Sequence, residues 1–435
     1  MNAKRSNKMN RLITIILLAL FSYQPSFAQE GIGTLHTNLT VHKGNGAVIE
    51  NGAVGVKNGL IIYVGKADKA PSGEYDKVKD WEGKHLYPGL IAMNTTLGLN
   101  EIFAVRATHD YREVGSMKPN VRSIIAYNAE SRITETVVAN GVLLAQVCPR
   151  GGRIKGSSSV VKLKGWNWED AVYAIDEGIH MDWPRLFKRK GERSDPIAFE
   201  PDEEYLEEII RLKNYFREAK AYAQRKNHLE VNPEYEAMRG VFNGEKRLYV
   251  TADFIKEIRE IVAFKRNFEI EKVTIVGGYD SWMAADLLRE NNISVLVRRV
   301  NSLPRFSEDA IDASFTLPAK LAEAEVEFAF QMAGSMETMQ NRNLPFNIGS
   351  AIAYGLGKER ALQAATLDAA KILGIDQTTG SIETGKEATI IISEGDVFDM
   401  RTSMIRLALI KGEEVNLQTN QDRLYEKYRS KYEAQ

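Results

Sequence analysis

Between residues 90 and 375 of this 435-residue chain, short apolar runs alternate with amphipathic stretches, and that alternation limits the folds open to it. The runs include "GVLLAQVCP" from Gly141, "RLYVTAD" from Arg247, "KVTIVGG" from Lys272, "ISVLVRRV" from Ile293 and "VEFAFQMAG" from Val326. Each has a strand's length and is apolar almost throughout, the texture of a strand covered on both faces. Between them, "ADFIKEIREIVAFKRNF" and "YDSWMAADLLRENN" carry apolar residues at helical spacing. Buried strands alternating with helices predict an α/β architecture, either a parallel sheet or a TIM-type (β/α)₈ barrel. With 44% hydrophobic and 26% charged residues, the chain has the material for a large core.

The two ends differ in texture. Residues 37–82 carry β-branched runs broken by Gly-Asn and Asn-Gly dipeptides, which read as short strands and tight turns. Strand texture returns in "ATIIISEGD" and "IRLALIKGEEVNL". The layout expected is a small composite β-sandwich built from residues 29–86 and 379–417, with the barrel inserted as residues 87–378. Residues 196–240 show mixed charge at helical spacing and read as a solvated helical insertion. The charged tail 418–435 is expected to be helical.

The first 28 residues read as an export signal. Lys4, Arg5, Lys8 and Arg11 precede an apolar run, Leu12 to Phe21, of about ten residues, too short to span a bilayer. Ser26-Phe27-Ala28 offers small residues for cleavage, so a mature start at Gln29 and a periplasmic or secreted location are expected. No later stretch is apolar enough to predict a membrane span. The single cysteine, Cys148, ends an apolar run and reads as a buried structural thiol. A net charge of −1 gives no reason to expect nucleic acid as a partner.

The sharpest local signal is "GKHLYPGLIAMNTTLGLNEI", residues 83–102. A small strand-rich segment, a Tyr-Pro-Gly-Leu-Ile run and a first barrel strand together resemble the lead-in of the amidohydrolase superfamily, in its imidazolonepropionase-like branch. "TTGSIETGKEATIIISEGDVFD" resembles that family's return into the β domain, and "LPFNIGSAIAYGLGKERALQAATLDAAKILGI" its last barrel helices. The resemblance covers nearly the whole chain after the signal. It implies a hydrolase of non-peptide carbon–nitrogen bonds that uses zinc or another divalent metal. Family members continue the first strand with Asp-x-His-x-His, two histidines on one side of a strand that hold the metal.

Here the chain departs from the pattern. Asn94 and Thr96 stand at the paired-histidine positions, Thr251 at a later histidine, and Ala333 at the catalytic aspartate. "TIVGGYDSW" has no histidine where another ligand is expected. The six histidines, His36, His42, His85, His109, His180 and His228, show no i, i+2 or i, i+4 pair, and surface or structural roles are expected for them. Glu101, Asp110, Glu113, Asp253 and Asp280 could offer oxygen to a hard ion, but nothing in their spacing converges. No cofactor is therefore expected in this chain, and no metal ligands are assigned.

Two function classes follow. In one, a hydrolase persists with a relocated metal or none. In the other, a non-catalytic relative binds a small, anionic ligand or partners an active paralogue or a second copy of itself. The sequence favours the second. The ligand-binding residues expected at the barrel mouth are Arg298, Arg299 and Asn301 after one strand, with Arg153 and Lys155 on the Gly/Ser-rich loop "RGGRIKGSSS". "GSIETGKE" nearly spells a phosphate-binding loop but lacks the Ser/Thr and the following helix. "GWNWEDA" puts two indoles close together, read as core packing.

Overall fold

The computed structural model of the protein describes residues 33–71, 73–190, 198–225 and 229–433. The first 28 residues, read as an export signal, and His228 lie outside these described residues. Five strands come first: β1 (Thr34–His42), β2 (Val48–Lys57), β3 (Leu60–Lys66), β4 (Lys77–Asp80) and β5 (His85–Pro88). Asn58 and Gly59 adopt left-handed φ values of 53° and 78° between β2 and β3. Two successive positive φ values are what a two-residue turn between antiparallel strands requires, and Asn-Gly supplies them at low cost.

The barrel begins with β6 (Leu90–Thr95), β7 (Val142–Val147), β8 (Ile154–Lys162) and β9 (Val172–Asp182). A small hairpin follows, β10 (Phe187–Lys190) with β11 (Ala198–Pro201). The ring continues through β12 (Arg247–Ala252), β13 (Val273–Gly277), β14 (Ile293–Val297) and β15 (Phe328–Phe330). The order is β15-β14-β13-β12-β9-β8-β7-β6, and a parallel bridge between Met93 and Gln331 joins the first strand to the last. The strands pair in parallel except β8, which runs antiparallel to both β7 and β9. The link from β7 to β8 turns through Gly151 and Gly152, at φ 78° and 80°. It has no room for the crossover helix that a parallel neighbour needs, so the strand reverses.

Ile91, Met93, Leu144, Val160, Tyr249 and Leu296 pack together inside the barrel. Ala369, Ala370 and Leu373, on the helix Leu367–Leu373, pack against them. Arg247 at the start of β12 donates from Nε to the Ile372 carbonyl at 2.7 Å, which pins this helix to the N-terminal end of the barrel. The opposite end, where the parallel strands finish, is left open. That is the end where barrels of this type carry their sites.

The chain then returns through β16 (Ile390–Ser393), β17 (Ile405–Ile410) and β18 (Glu413–Glu414). These join the opening strands in one eight-stranded sheet around Leu39, Val54, Ile61, Leu86, Ile390 and Leu407. The helix Asn420–Glu433 ends the described chain with no buried residue.

The charged stretch around 196–240 is not a solvated insertion. Its helices, Tyr205–Gln224 and Pro233–Phe242, make the crossover from β9 to β12. Tyr205, Ile209, Leu212, Phe216 and Ala219 form a buried stripe at three- and four-residue spacing. Phe216 packs edge-on against Phe264, ring centroids 4.8 Å apart. Among the described residues no helix is long and apolar enough to cross a membrane.

Candidate functional site at the barrel mouth

A cavity of about 750 Å³ opens over the half of the mouth formed by β15, β6, β7, β8 and β9. Its cations are Arg112, Arg150, Arg153, Lys155 and Arg185, and its carboxylates are Asp182, Asp202, Glu208 and Glu337. Three pairs form: Arg150 with Glu337 at 3.1 Å, Lys155 with Asp182 at 2.6 Å, and Arg153 with Glu208. Arg112 and Arg185 are left without an ion pair among the described residues. Among the described residues, the Asp202 carboxylate accepts only a backbone N–H, from Glu204 at 3.2 Å. The wall therefore carries more uncompensated positive than negative charge, and Phe103 and Tyr111 add aromatic surface beside Arg112.

The positions matched to metal ligands are all tied into the protein. Asn94, at the end of β6, takes φ 49°, a left-handed conformation that asparagine tolerates better than most residues. Its Nδ2 donates to Gln331 Oε1 at 2.6 Å, and its Oδ1 and backbone O accept from Arg150 at 2.9 and 2.8 Å. Thr96 Oγ1 lies 2.9 Å from Thr338 Oγ1, and Thr251 Oγ1 accepts from Lys155 Nζ at 3.1 Å. Ala333 lies two residues past Gln331, half-buried; Gln331 is the polar side chain that meets Asn94.

Of the residues expected to bind a ligand, Arg153 and Lys155 line the cavity, Lys155 from strand β8 rather than from the loop expected over Arg150 to Ser159, whereas Arg298, Arg299 and Asn301 do not. Arg299 donates to the carbonyls of Met332 and Ser335 at 2.6 and 3.2 Å, tying the β14 loop to the β15 loop. Burial pulls its pKa below the ordinary arginine value, partly offset by Glu337. Arg298 lies over the Tyr279 ring, 5.3 Å from its centroid. Asn301 is exposed and uses its backbone N–H, which donates to Asn347 Oδ1 at 3.3 Å.

Below the mouth lies a polar network that the sequence did not reveal. Glu177 on β9 accepts from Gln146 Nε2 at 2.7 Å, Tyr249 Oη at 2.9 Å and Ser158 Oγ. Burial raises its pKa, opposed by these three donors. His180 belongs to β9, and its Nε2 sits 2.9 Å from Ser158 Oγ and 3.4 Å from Cys148 Sγ. Burial pushes the His180 pKa well down, assisted by Lys155 and Arg150, so the ring is neutral. Burial likewise raises the Cys148 pKa far above the usual thiol range, which removes it as a nucleophile.

Among the described residues, no three His, Cys, Asp or Glu side chains gather as a metal-binding group. Three of the five scattered carboxylates have other partners. Asp253 pairs with Arg305, Asp280 accepts from the Ile255 N–H at 3.0 Å, and Glu101 accepts from Ser131 at 3.0 Å. Of the two indoles in "GWNWEDA", Trp168 packs against the core and Trp166 is 88% exposed.

The model of the amidohydrolase family matches residues 145–415, from within β7 to the end of the returning sheet. The chain belongs to the amidohydrolase family. It is 23% identical to the imidazolonepropionase of Streptococcus gordonii over 381 residues, covering 81% of this chain and 86% of that protein. The imidazolonepropionase of Thermoplasma volcanium is also 23% identical, over 368 residues, 80% of this chain and 85% of that one. Among solved structures, an amidohydrolase from Thermotoga maritima superposes with a TM-score of 0.74 at 23% identity, over 88% of this chain and 99% of that one. A Xaa-Pro dipeptidase with bound methionine gives a TM-score of 0.55 at 15% identity, over 88% and 100% of the two chains. The chain is thus an imidazolonepropionase-like amidohydrolase, a family whose members usually bind a divalent metal. The family match begins after β6, so Asn94 and Thr96 lie outside it.

Proposed function

We propose that this amidohydrolase-family protein works without a divalent metal and holds a small anionic ligand in the barrel mouth, with carbon–nitrogen bond hydrolysis impaired. The observation that carries this reading is the chemistry at Asn94, Thr96 and Thr251. These are an amide and two hydroxyls, and two of the three accept hydrogen bonds from fixed cations, Arg150 and Lys155. Zinc sites use three or four thiolate, imidazole or carboxylate donors. Without a metal, a water in the mouth keeps the high pKa of bulk water instead of one near neutrality, and the family's hydroxide nucleophile is not generated. The uncompensated Arg112 and Arg185 support an anion as the ligand. Elemental analysis of purified protein tests the reading. Less than about one-tenth equivalent of zinc is expected, whereas near one equivalent, lost together with hydrolytic activity on chelation, overturns it.

A further inference from the structure

Arg150 is a partly buried arginine three residues past the end of β7, its side chain 16% exposed, and every nitrogen of its guanidinium has a protein partner. Nε donates to Glu337 Oε1 at 3.1 Å, and Nη2 lies 3.1 Å from the same oxygen. Nη1 reaches Asn94 Oδ1 at 2.9 Å and the Pro149 carbonyl at 3.4 Å, while Nη2 reaches the Asn94 carbonyl at 2.8 Å. Its donors are thus filled from within the chain, so this arginine is not available to clamp a ligand. The acceptors come from the end of β6, the end of β7 and the segment that follows β15. Those elements are neighbours around the closed barrel, and Glu337 is fixed in turn by the Gly334 N–H at 3.0 Å.

We propose that the Arg150 guanidinium is a resident cation that replaces a divalent metal at the strand ends, holding β6, β7 and the β15 loop around one positive charge. The inference rests on the metal-free reading of the mouth, yet it concerns a separate residue and a separate measurement. The left-handed turn at Asn94 aims both its carbonyl and its Oδ1 at the guanidinium. Glu337 then supplies the single negative charge that balances it. Burial opposes charge on Arg150, but the Glu337 carboxylate beside it raises its pKa above the ordinary arginine value. Deleting the guanidinium would leave Asn94 O, Asn94 Oδ1, Pro149 O and a Glu337 oxygen facing one gap. Such an all-oxygen set with one carboxylate suits a hard cation such as Ca²⁺.

Thermal melts of Arg150→Ala test this with methylguanidinium and with CaCl₂ as probes. The variant should melt about 5 °C or more below the wild type, because one partner of a buried ion pair has been removed. Either probe should recover part of that loss, neither should shift the wild type, and recovery should vanish in Arg150→Ala/Glu337→Gln. A loss that neither probe recovers overturns the proposal and leaves Arg150 as a packing residue. So does a wild-type shift by Ca²⁺ as large as the variant's. If Arg150→Ala does not accumulate as folded protein, Arg150→Lys and Arg150→Met are compared. The lysine should melt higher, since it keeps the charge; equal melting points overturn the proposal. Zinc content of the wild type decides the metal-free reading, whatever these melts show.

Discussion

His180 and Tyr249 stack face to face inside the barrel, ring centroids 4.4 Å apart and planes 9° from parallel. The pair lies between β9 and β12, neighbouring parallel strands, in register at His180 and Tyr249. From this stack the Tyr249 hydroxyl donates to Glu177, whose remaining donors come from β7 and β8. A carboxyl inside an apolar barrel is tolerated because three strands supply its hydrogen bonds.

Tyr249→Phe should therefore destabilise the fold by about 1–3 kcal/mol, the cost of leaving a buried polar group short of a partner. The ring packing is retained in this variant, so the loss reports the hydroxyl alone. Urea denaturation of wild type and variant measures it. A difference under about 0.5 kcal/mol would mean that Glu177 gains nothing from Tyr249.

The crossover helices make a second expectation. Phe216 is fully buried, where it meets Phe264 and Phe268. Phe216→Ala should cost about 3–5 kcal/mol, as for an aromatic removed from a packed core. Leu206, 68% exposed on the same helix, should tolerate alanine with a change near 0.5 kcal/mol or less, in round terms about the noise of surface substitutions. Equal effects in the two variants would restore the picture of a solvated insertion.

That contrast shows where the sequence was legible. Strand-length apolar runs and Asn-Gly turns specify their own conformation locally, so β6, β7, β12 to β15 and the β2–β3 turn could be read directly, whereas β8 was masked because its opening stretch, "IKGSSS", has the small polar residues of a loop. The stripe at Tyr205, Ile209, Leu212 and Phe216 is equally regular, but glutamates and lysines between its members mask it. The reversal of β8 depends on the shortness of a loop rather than on the strand's residues. Arg150 was invisible for a different reason. Its role arises from Asn94 and Glu337, 56 and 187 positions away, which only the closed barrel brings together. Arg298 and Arg299 lay near a strand end, as expected, but carbonyls and a tyrosine ring had already engaged them.

Acid should weaken the protein through His36. This ring is 2% exposed, and its Nδ1 accepts from Trp81 Nε1 at 3.0 Å, a bond that needs the neutral form. Burial, helped by Lys79, lowers its pKa to about 4. A base with a depressed folded pKa contributes its full stability above the unfolded value near 6.5, and that contribution falls as pH drops toward 4. Between pH 7.5 and pH 5 the loss from this one group should be about 2 kcal/mol. His36→Gln cannot titrate and should show a correspondingly shallower loss in urea denaturation across that range. An identical pH dependence in the two proteins would assign the acid sensitivity elsewhere.

Export makes a simple expectation. The basic residues and short apolar run at the N-terminus predict that secreted material starts at Gln29. N-terminal sequencing that returns Met1 from the exported fraction would contradict it.

The last expectation concerns which arginines meet the ligand. Arg112 and Arg185 line the mouth cavity without a carboxylate partner among the described residues, whereas Arg153 is paired with Glu208. Arg298 lies outside the cavity, over Tyr279. An anion entering the mouth should therefore gain most from the two unpaired guanidinium groups, which can hold a carboxylate or phosphate bidentately. Thermal-shift screening with neutral and anionic small molecules should find stabilisation by anions alone. At about one hundred times its dissociation constant, a bound anion stabilises by about 2.7 kcal/mol. Arg112→Ala and Arg185→Ala should each weaken the anion by about tenfold or more, the loss of one charge-assisted contact. Arg298→Ala should leave the affinity unchanged, because its guanidinium does not line the cavity. Salt should weaken binding too, since both unpaired arginines are solvent-accessible and their field is screened. If anions give no shift, or if Arg298→Ala weakens them as much as Arg112→Ala does, the cavity is not the binding site.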